Sequence, residues 1–349
     1  LNNHFIPTCS TAPKRHVQLK DKSPVIPLPV PIRKMLSEEQ AAKFIEEKLL
    51  IPEWREEIKK SKFNFLVKLE NRYLEKMHYE NISWGAKTLE ELKPPSKEEV
   101  IYQCLETGGG ACIQLNYFLR LLLEVLGYDV FNVGCKTMTV EDDTAHMIVI
   151  IRMPKTEEGV VSSPENKTDH VLYMSDPGFA RPAPGLINLD LLPHTYQSGG
   201  FTVQHRFNDE LQRYERYLIG GDPIKGKFSS PDETYWESCF QTVPYKFEDF
   251  DRCMTSIFND PKFSFFLNTT FLFRHLSVRD INNVEYVSIR GRTVTTGNSS
   301  GLESFKCETY DELIPHIEKY FPNLNRDNIR KAVANYKIRQ ELKYQTEIL

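Results

Sequence analysis

The chain has 349 residues, with 44 Lys and Arg against 48 Asp and Glu, so its formal net charge is −4. Hydrophobic residues make up 40% of the chain and aromatic residues 11%, a composition typical of globular proteins that excludes the disordered and fibrous classes. The near balance of charges, without a long basic stripe, also excludes nucleic acid as the expected main partner.

The first 36 residues are rich in proline and basic residues, which predicts an extended arm because proline blocks helix formation. A helical part begins at Ser37, where the serine and Gln40, three residues later, form a capping-box pattern. The apolar periodicity of residues 37–126 predicts helices at about 38–50, 53–60, 62–77 and 97–105, and a further helix that begins near Cys112.

After Gly127 the pattern changes to short β-branched runs, which predict a small sheet or barrel over residues 127–245. Its strands are expected at about 129–140, 146–152, 170–175, 201–206 and 213–218. Residues 246–349 mix both patterns. We expect helices there at about 247–258, 309–320 and 326–341, and strands at about 270–277, 284–290 and 292–296. The fold class is therefore α+β.

Two absences in the sequence bear on location and chemistry. No apolar run approaches the roughly 20 residues needed to cross a bilayer, and the N-terminus lacks the order of charged and apolar residues found in secretory signals. We therefore expect a cytoplasmic protein without a membrane partner. The seven cysteines contain no Cys-x-x-Cys pair, and we expect neither a disulfide framework nor a metal site.

Cys112 is the candidate nucleophile. Three glycines, Gly108 to Gly110, come shortly before it, and the apolar stretch that follows predicts a buried helix. Because glycine allows a tight turn, we expect the thiol at the N-terminus of that helix. There the partial positive charge of the first turn favours a thiolate, and free backbone amides can hold an anionic intermediate.

His146 and Asp176 are the candidate partners of this thiol. His146 opens one predicted buried strand and Asp176 follows another, and strands joined by a single loop are usually antiparallel neighbours. If Arg152 pairs with His170, counting along both strands places His146 directly opposite Asp176. The carboxylate could then orient the imidazole as the acid and base for the thiol.

These residues resemble the motifs of the arylamine N-acetyltransferase family. The segment 109–116 is similar to its Arg-Gly-Gly-x-Cys-x-Glu/Gln-x-Asn motif, and His146 to the histidine that begins its central strand. Asp176 to Phe179 resembles its Asp-x-Gly-Phe segment, and Tyr79 to Ile82 its Phe-Glu-Asn-Leu stretch. The resemblance spans roughly residues 37–335, and we expect a divergent member of the family, of the eukaryotic type.

This resemblance implies three domains: a helical bundle (37–126), a β-barrel (127–245) and an α/β lid with C-terminal helices (246–349). It also implies a ping-pong reaction of the kind used in xenobiotic metabolism. Cys112 would accept an acyl group from acyl-coenzyme A and pass it to an arylamine or hydrazine nitrogen, with His146 and Asp176 completing a catalytic triad. Coenzyme A would be a cosubstrate, with no bound cofactor or metal.

Several positions depart from the family pattern. Gly108 replaces the arginine expected to pair with Glu80, so another cation pairs with Glu80 or its carboxyl is solvated. Ala111 replaces an aromatic residue and should widen the substrate pocket, which we expect Tyr79 and Phe179 to complete. Coenzyme A contacts are expected from four residues of the third domain: Lys262, Ser264, Asn268 and Thr269. The acyl donor is not set by these features, since some relatives take malonyl or longer groups.

Two other functions remain open from the sequence. A thiol hydrolase or transglutaminase-like enzyme also orders Cys, His and Asp along its chain, but it needs no third domain of this kind. A non-catalytic relative that binds acyl-coenzyme A is favoured by the missing arginine and disfavoured by the presence of all three triad residues.

Overall fold

The computed structural model describes residues 35–179, 181–198, 201–220, 234–259, 264–280, 283–298 and 301–346. Residues 1–34 of the predicted arm (1–36) lie outside this part of the chain. The three domain limits stay a prediction. One sheet joins strands of the first and third predicted domains, whereas the other lies within the second.

The first part of the chain is helical, as predicted. The capping box at its start is confirmed: Gln40 N donates to Ser37 Oγ, and Ser37 N donates to Gln40 Oε1, both at 3.0 Å. The helix expected over 38–50 is α-helical only to Lys43. A π-helical turn, Phe44–Lys48, follows it. The helices are α1 (Glu38–Lys43), α2 (Trp54–Lys60), α3 (Lys62–Lys76), α4 (Ile82–Gly85), α5 (Lys97–Glu106) and α6 (Cys112–Val125).

An eight-stranded antiparallel sheet follows. Its strands are β3 (Asp129–Thr137), β4 (His146–Pro154), β5 (His170–Ser175), β6 (Ile187–Asn188), β7 (His194–Ser198), β8 (Phe201–Asn208), β9 (Arg213–Ile219) and β10 (Thr234–Tyr245), in the order β6-β5-β4-β3-β10-β9-β8-β7. Residues 189–193 alone join the two edge strands, and so short a segment reaches at most about 20 Å. The sheet therefore curls into a nearly closed barrel around buried side chains such as Val133, Ile148 and Leu218.

The last part carries a second sheet. A 3-10 turn (Phe247–Phe250) leads into α7 (Asp251–Asn259), and the remaining elements are β11 (Phe271–Asp280), β12 (Asn283–Arg290), β13 (Thr293–Asn298), β14 (Gly301–Lys306), α8 (Ile314–Tyr320) and α9 (Arg326–Thr346). Two short strands of the helical part, β1 (His78–Tyr79) and β2 (Gly109–Gly110), extend this sheet, in the order β14-β13-β12-β11-β1-β2. The glycine strand that precedes Cys112 thus pairs with the sheet of the third part.

Three strands longer than two residues were not predicted, each for a physical reason. Strand β10 has bulges between Trp236 and Ser238 and between Phe240 and Pro244, which break the alternation that marks a strand. All six residues of β14 are exposed, so it has no apolar face to detect. In β7 the alternation depends on Tyr196 as the large apolar side chain that reaches the barrel core.

Helix α6 connects the fold to the site. Its buried side chains, among them Leu115, Phe118 and Leu122, share one core with Val149 and Ile151 of β4. Burial of this apolar surface holds the helix against the barrel wall. The start of α6 and the start of β4 therefore meet, which places Cys112 beside His146.

Candidate active site

Cys112 is the first residue of α6, as predicted, and its side chain is half-buried whereas the other described cysteines are buried. Gly108 has φ +70°, a left-handed conformation that favours glycine. A Cβ on Gly110 would lie 2.7 Å from Gln114 Cβ, so only glycine fits there. The turn is completed by Ala111 N, which donates to Gln114 Oε1 at 3.1 Å. The glycine-containing turn thus places the Cys112 thiol at the N-terminus of α6, where the helix dipole is positive.

His146 and Asp176 come together as predicted, and both are buried. His146 Nε2 lies 2.9 Å from each carboxylate oxygen of Asp176. The imidazole also forms a hydrogen bond with Cys112, for which Nδ1 is the nitrogen left available. The imidazole therefore lies between the Cys112 sulfur and the Asp176 carboxylate, within hydrogen-bond reach of both.

The predicted strand register was wrong by two residues. In the structure Arg152 pairs with Leu172, and His170 pairs with Pro154. Side chains alternate between faces with a period of two, so this shift keeps His146 and Asp176 on the same face. The contact between His146 and Asp176 is therefore diagonal across the two strands and does not join paired residues. Asp176 lies one residue beyond the last pair, Val149 with Ser175.

Asn116 holds the carboxylate in place, a role that the sequence analysis did not assign. Its Nδ2 donates to Asp176 Oδ1 at 2.8 Å and also to the Met147 carbonyl, while its Oδ1 accepts from Gly178 N at 2.9 Å. Asn116 lies one helical turn after Cys112, and this spacing in the motif was the signal that it faces the same site. A Cβ on Gly178 would lie 2.7 Å from Cys112 Cα, so this close approach requires glycine.

The electrostatics of the site favour a protonated His146. Burial by itself lowers the pKa of this imidazole, but the charge and hydrogen bond of Asp176, together with Cys112, raise it to about 10. At neutral pH the ring is therefore an imidazolium beside the sulfur. The site therefore has a proton donor within hydrogen-bond reach of the Cys112 sulfur.

Both expectations for Glu80 were wrong. Its side chain is fully buried, and neutral donors replace the absent arginine: Ser83 N at 2.9 Å, Ser83 Oγ at 2.6 Å and Gln103 Nε2 at 2.8 Å. Burial raises the pKa of Glu80 despite these hydrogen bonds. Gly108 leaves room for a different neighbour, because a Cβ there would lie 2.8 Å from Lys48 Cε.

A small, mainly apolar cavity opens beside Cys112. Tyr79 and Ala111 line it, as expected, and helix α7 closes it with side chains that the sequence analysis missed: Cys253, Met254, Ile257 and Phe258. Phe179 is not among the lining residues. Its ring instead meets His146 edge-on at 5.2 Å, with the Arg216 guanidinium 4.0 Å from its centroid.

The structure describes three of the four residues predicted to contact coenzyme A. Lys262 lies outside the described residues. Ser264 is buried, and among the described residues its Oγ has no hydrogen-bond partner. Asn268 Nδ2 donates to the Ser264 carbonyl at 3.0 Å, and Thr269 Oγ1 lies 3.1 Å from the Tyr310 hydroxyl. These contacts stabilise the turn that precedes β11. Phe266, in the same turn, lines the cavity.

The described part of the chain contains no group of three or more His, Cys, Asp or Glu side chains arranged to hold a metal ion. None of its helices is both long and apolar enough to cross a membrane.

Comparison with known proteins gives three findings. A sequence profile described as N-acetyltransferase matches residues 63–328. No curated protein matches the chain in sequence. Solved structures of similar fold include the arylamine N-acetyltransferases of Mycobacterium marinum in complex with CoA (TM-score 0.61, 14% identity, 84% of this chain and 98% of that one), Mycobacterium abscessus (0.59, 14%, 78% and 88%) and Salmonella typhimurium (0.58, 13%, 86% and 99%).

Proposed function

The chain belongs to the arylamine N-acetyltransferase family of acyltransferases, and on this premise we propose that it moves a short acyl group from acyl-coenzyme A to an amine nitrogen through a Cys112 thioester. The observation that carries the proposal is the convergence of Cys112, His146 and Asp176 from three separate parts of the chain, with Cys112 and His146 lining one apolar cavity. Coenzyme A bound to the Mycobacterium marinum enzyme of similar fold supports this class of donor.

In the first half-reaction the Cys112 sulfur forms a bond to the carbonyl carbon of the donor. The bond between that carbon and the coenzyme A sulfur breaks, and His146 gives its proton to the departing thiolate. The first amides of α6 have no intrahelical acceptor and are available to the oxyanion. The products are the acyl-enzyme and free coenzyme A.

In the second half-reaction the amine nitrogen attacks the thioester carbon. The bond from that carbon to Cys112 breaks, and the neutral imidazole of His146 takes the proton released by the nitrogen. This step restores the imidazolium and thiolate, so the enzyme returns to its starting state. Asp176 keeps Nε2 engaged throughout, which leaves Nδ1 directed at the reacting atoms.

The cavity favours an uncharged acyl group. Apart from His146, the described residues that line it include no cationic side chain, and most are apolar. A malonyl carboxylate buried there would lose hydration without a dedicated partner, which is costly. Acetyl- and propionyl-coenzyme A are therefore the proposed donors, and an arylamine or hydrazine, as in xenobiotic metabolism, is the proposed acceptor class.

A cytoplasmic location is part of this proposal. The six cysteines that the structure describes, Cys104, Cys112, Cys135, Cys239, Cys253 and Cys307, are all free thiols. Free thiols and a reactive cysteine suit a reducing compartment.

Intact-protein mass after brief incubation with acetyl-, propionyl- and malonyl-coenzyme A tests the proposal, with Cys112→Ser as the control. We expect a gain of one acyl group with the first two donors, absent in the serine variant, and little gain with malonyl-coenzyme A. No gain with any donor, while iodoacetamide still alkylates Cys112, would favour the thiol hydrolase. A Cys112 that iodoacetamide does not alkylate would favour the non-catalytic binder.

A further inference from the structure

A buried carboxyl that the reaction does not use lies behind the triad. Glu70 is on α3 and only 1% exposed. Ser175 Oγ donates to its Oε1 at 2.7 Å, whereas its Oε2 has no hydrogen-bond partner among the described residues. Ser175 is the last residue of β5, completely buried, and directly precedes Asp176. The hydrogen bond therefore joins α3 to the backbone that carries the triad carboxylate.

We propose that Glu70 is a positioning residue, which anchors the Asp176 end of the triad through Ser175 and does so best when its own carboxyl is uncharged. The inference rests on the proposed function for its catalytic consequence. It concerns a residue that touches none of the reacting atoms, so its effect passes through Ser175 and Asp176.

The surroundings of Glu70 disfavour a charge. Its titratable neighbours are Asp176, from the turn after β5, and Tyr73, on the same helix. Among the described residues no Lys, Arg or His forms an ion pair with it. A carboxylate there would have a single hydroxyl donor and a negative neighbour, an arrangement that burial makes expensive. Burial and the Asp176 charge raise the pKa of Glu70 to about 7, although the Ser175 hydrogen bond opposes them.

Ionisation of Glu70 would therefore act on the triad. A second buried negative charge next to Asp176 repels it, and the Ser175 link transmits any movement of Glu70 to the same turn. His146 would then lose the alignment that Asp176 imposes on its ring. We expect the wild-type enzyme to lose activity above about pH 7 for this reason, while His146 itself is still protonated.

The test is the rate of acyl-enzyme formation with acetyl-coenzyme A at pH 6 and pH 8.5, followed by intact mass. In Glu70→Gln, which cannot ionise, the ratio of the rate at pH 8.5 to that at pH 6 should exceed the wild-type ratio by about 30-fold, because the uncharged fraction of a group with a pKa of about 7 falls by about that factor over the interval. Glu75→Gln is the matched control, since Glu75 lies on the same helix but bonds Arg72 and Val278 N. Its ratio should equal that of the wild type.

Two additions make the outcome decisive. Iodoacetamide alkylation of Cys112 in the same buffers needs no coenzyme A, so it tests Glu70 even if no acyl-enzyme forms and the proposed function fails. If Glu70→Gln does not fold, Ser175→Ala replaces it. Removing this hydrogen bond raises the pKa of Glu70, so the activity loss should move to higher pH. Equal ratios in variant and wild type, for both reactions, overturn the proposal.

Discussion

Replacing Glu70 by glutamine should make the stability of the protein depend less on pH. The pKa of Glu70 rises from 4.5 to about 7 on folding, because the native state buries it beside Asp176. The native state therefore binds the proton more tightly than the unfolded chain. The stabilisation associated with this proton is fully present below pH 4.5 and is lost as the pH rises through 7.

The size of the effect follows from this shift. Linkage over the two pKa values gives a loss of about 2.5 kcal/mol in the free energy of unfolding between pH 5 and pH 8. Glu70→Gln lacks this loss. Its free energy of unfolding relative to the wild type should therefore rise by about 2.5 kcal/mol over that interval, whatever constant cost the amide adds.

Urea unfolding followed by tryptophan fluorescence at pH 5, 6, 7 and 8 measures this difference directly. Glu75→Gln again serves as the control, and its difference from the wild type should stay constant with pH. A difference between Glu70→Gln and wild type that does not change from pH 5 to pH 8 would refute the burial argument for Glu70.

Three further changes test the site itself. Asp176→Asn should lower the pKa of His146, slow iodoacetamide alkylation at pH 7 and reduce turnover by about 10³-fold or more; an unchanged alkylation rate would contradict the imidazolium assignment. Gly178→Ala places a Cβ 2.7 Å from Cys112 Cα, so thermal unfolding should report a loss of about 1–3 kcal/mol, and full stability would show that this approach is not tight. Ala111→Phe should fill the cavity and narrow the range of donors or acceptors, as measured by acyl transfer, while sparing thiol alkylation. Equal loss of acyl transfer and alkylation would instead indicate a misplaced thiol.

The sequence by itself determined the local structure around Cys112 and His146, because each depends on a short stretch of chain. Glycines before Cys112 signal a tight turn into a helix, and the apolar run after His146 signals a buried strand. The period of two along a strand decides which face a side chain takes. This is why His146 and Asp176 were assigned to one face even though the predicted register was wrong by two residues.

Only the tertiary structure decided what surrounds these elements, because contacts between distant segments leave no local periodicity in the sequence. Glu80 accepts a hydrogen bond from Gln103 on α5, 23 residues away, which the sequence around Glu80 does not predict. The wall of the cavity comes from α7, more than 130 residues after Cys112. The link between Glu70 and Ser175 spans 105 residues, and it exists because α3 packs against the end of β5. Burial of both side chains in that contact, and no feature of either segment alone, determines the protonation state of Glu70.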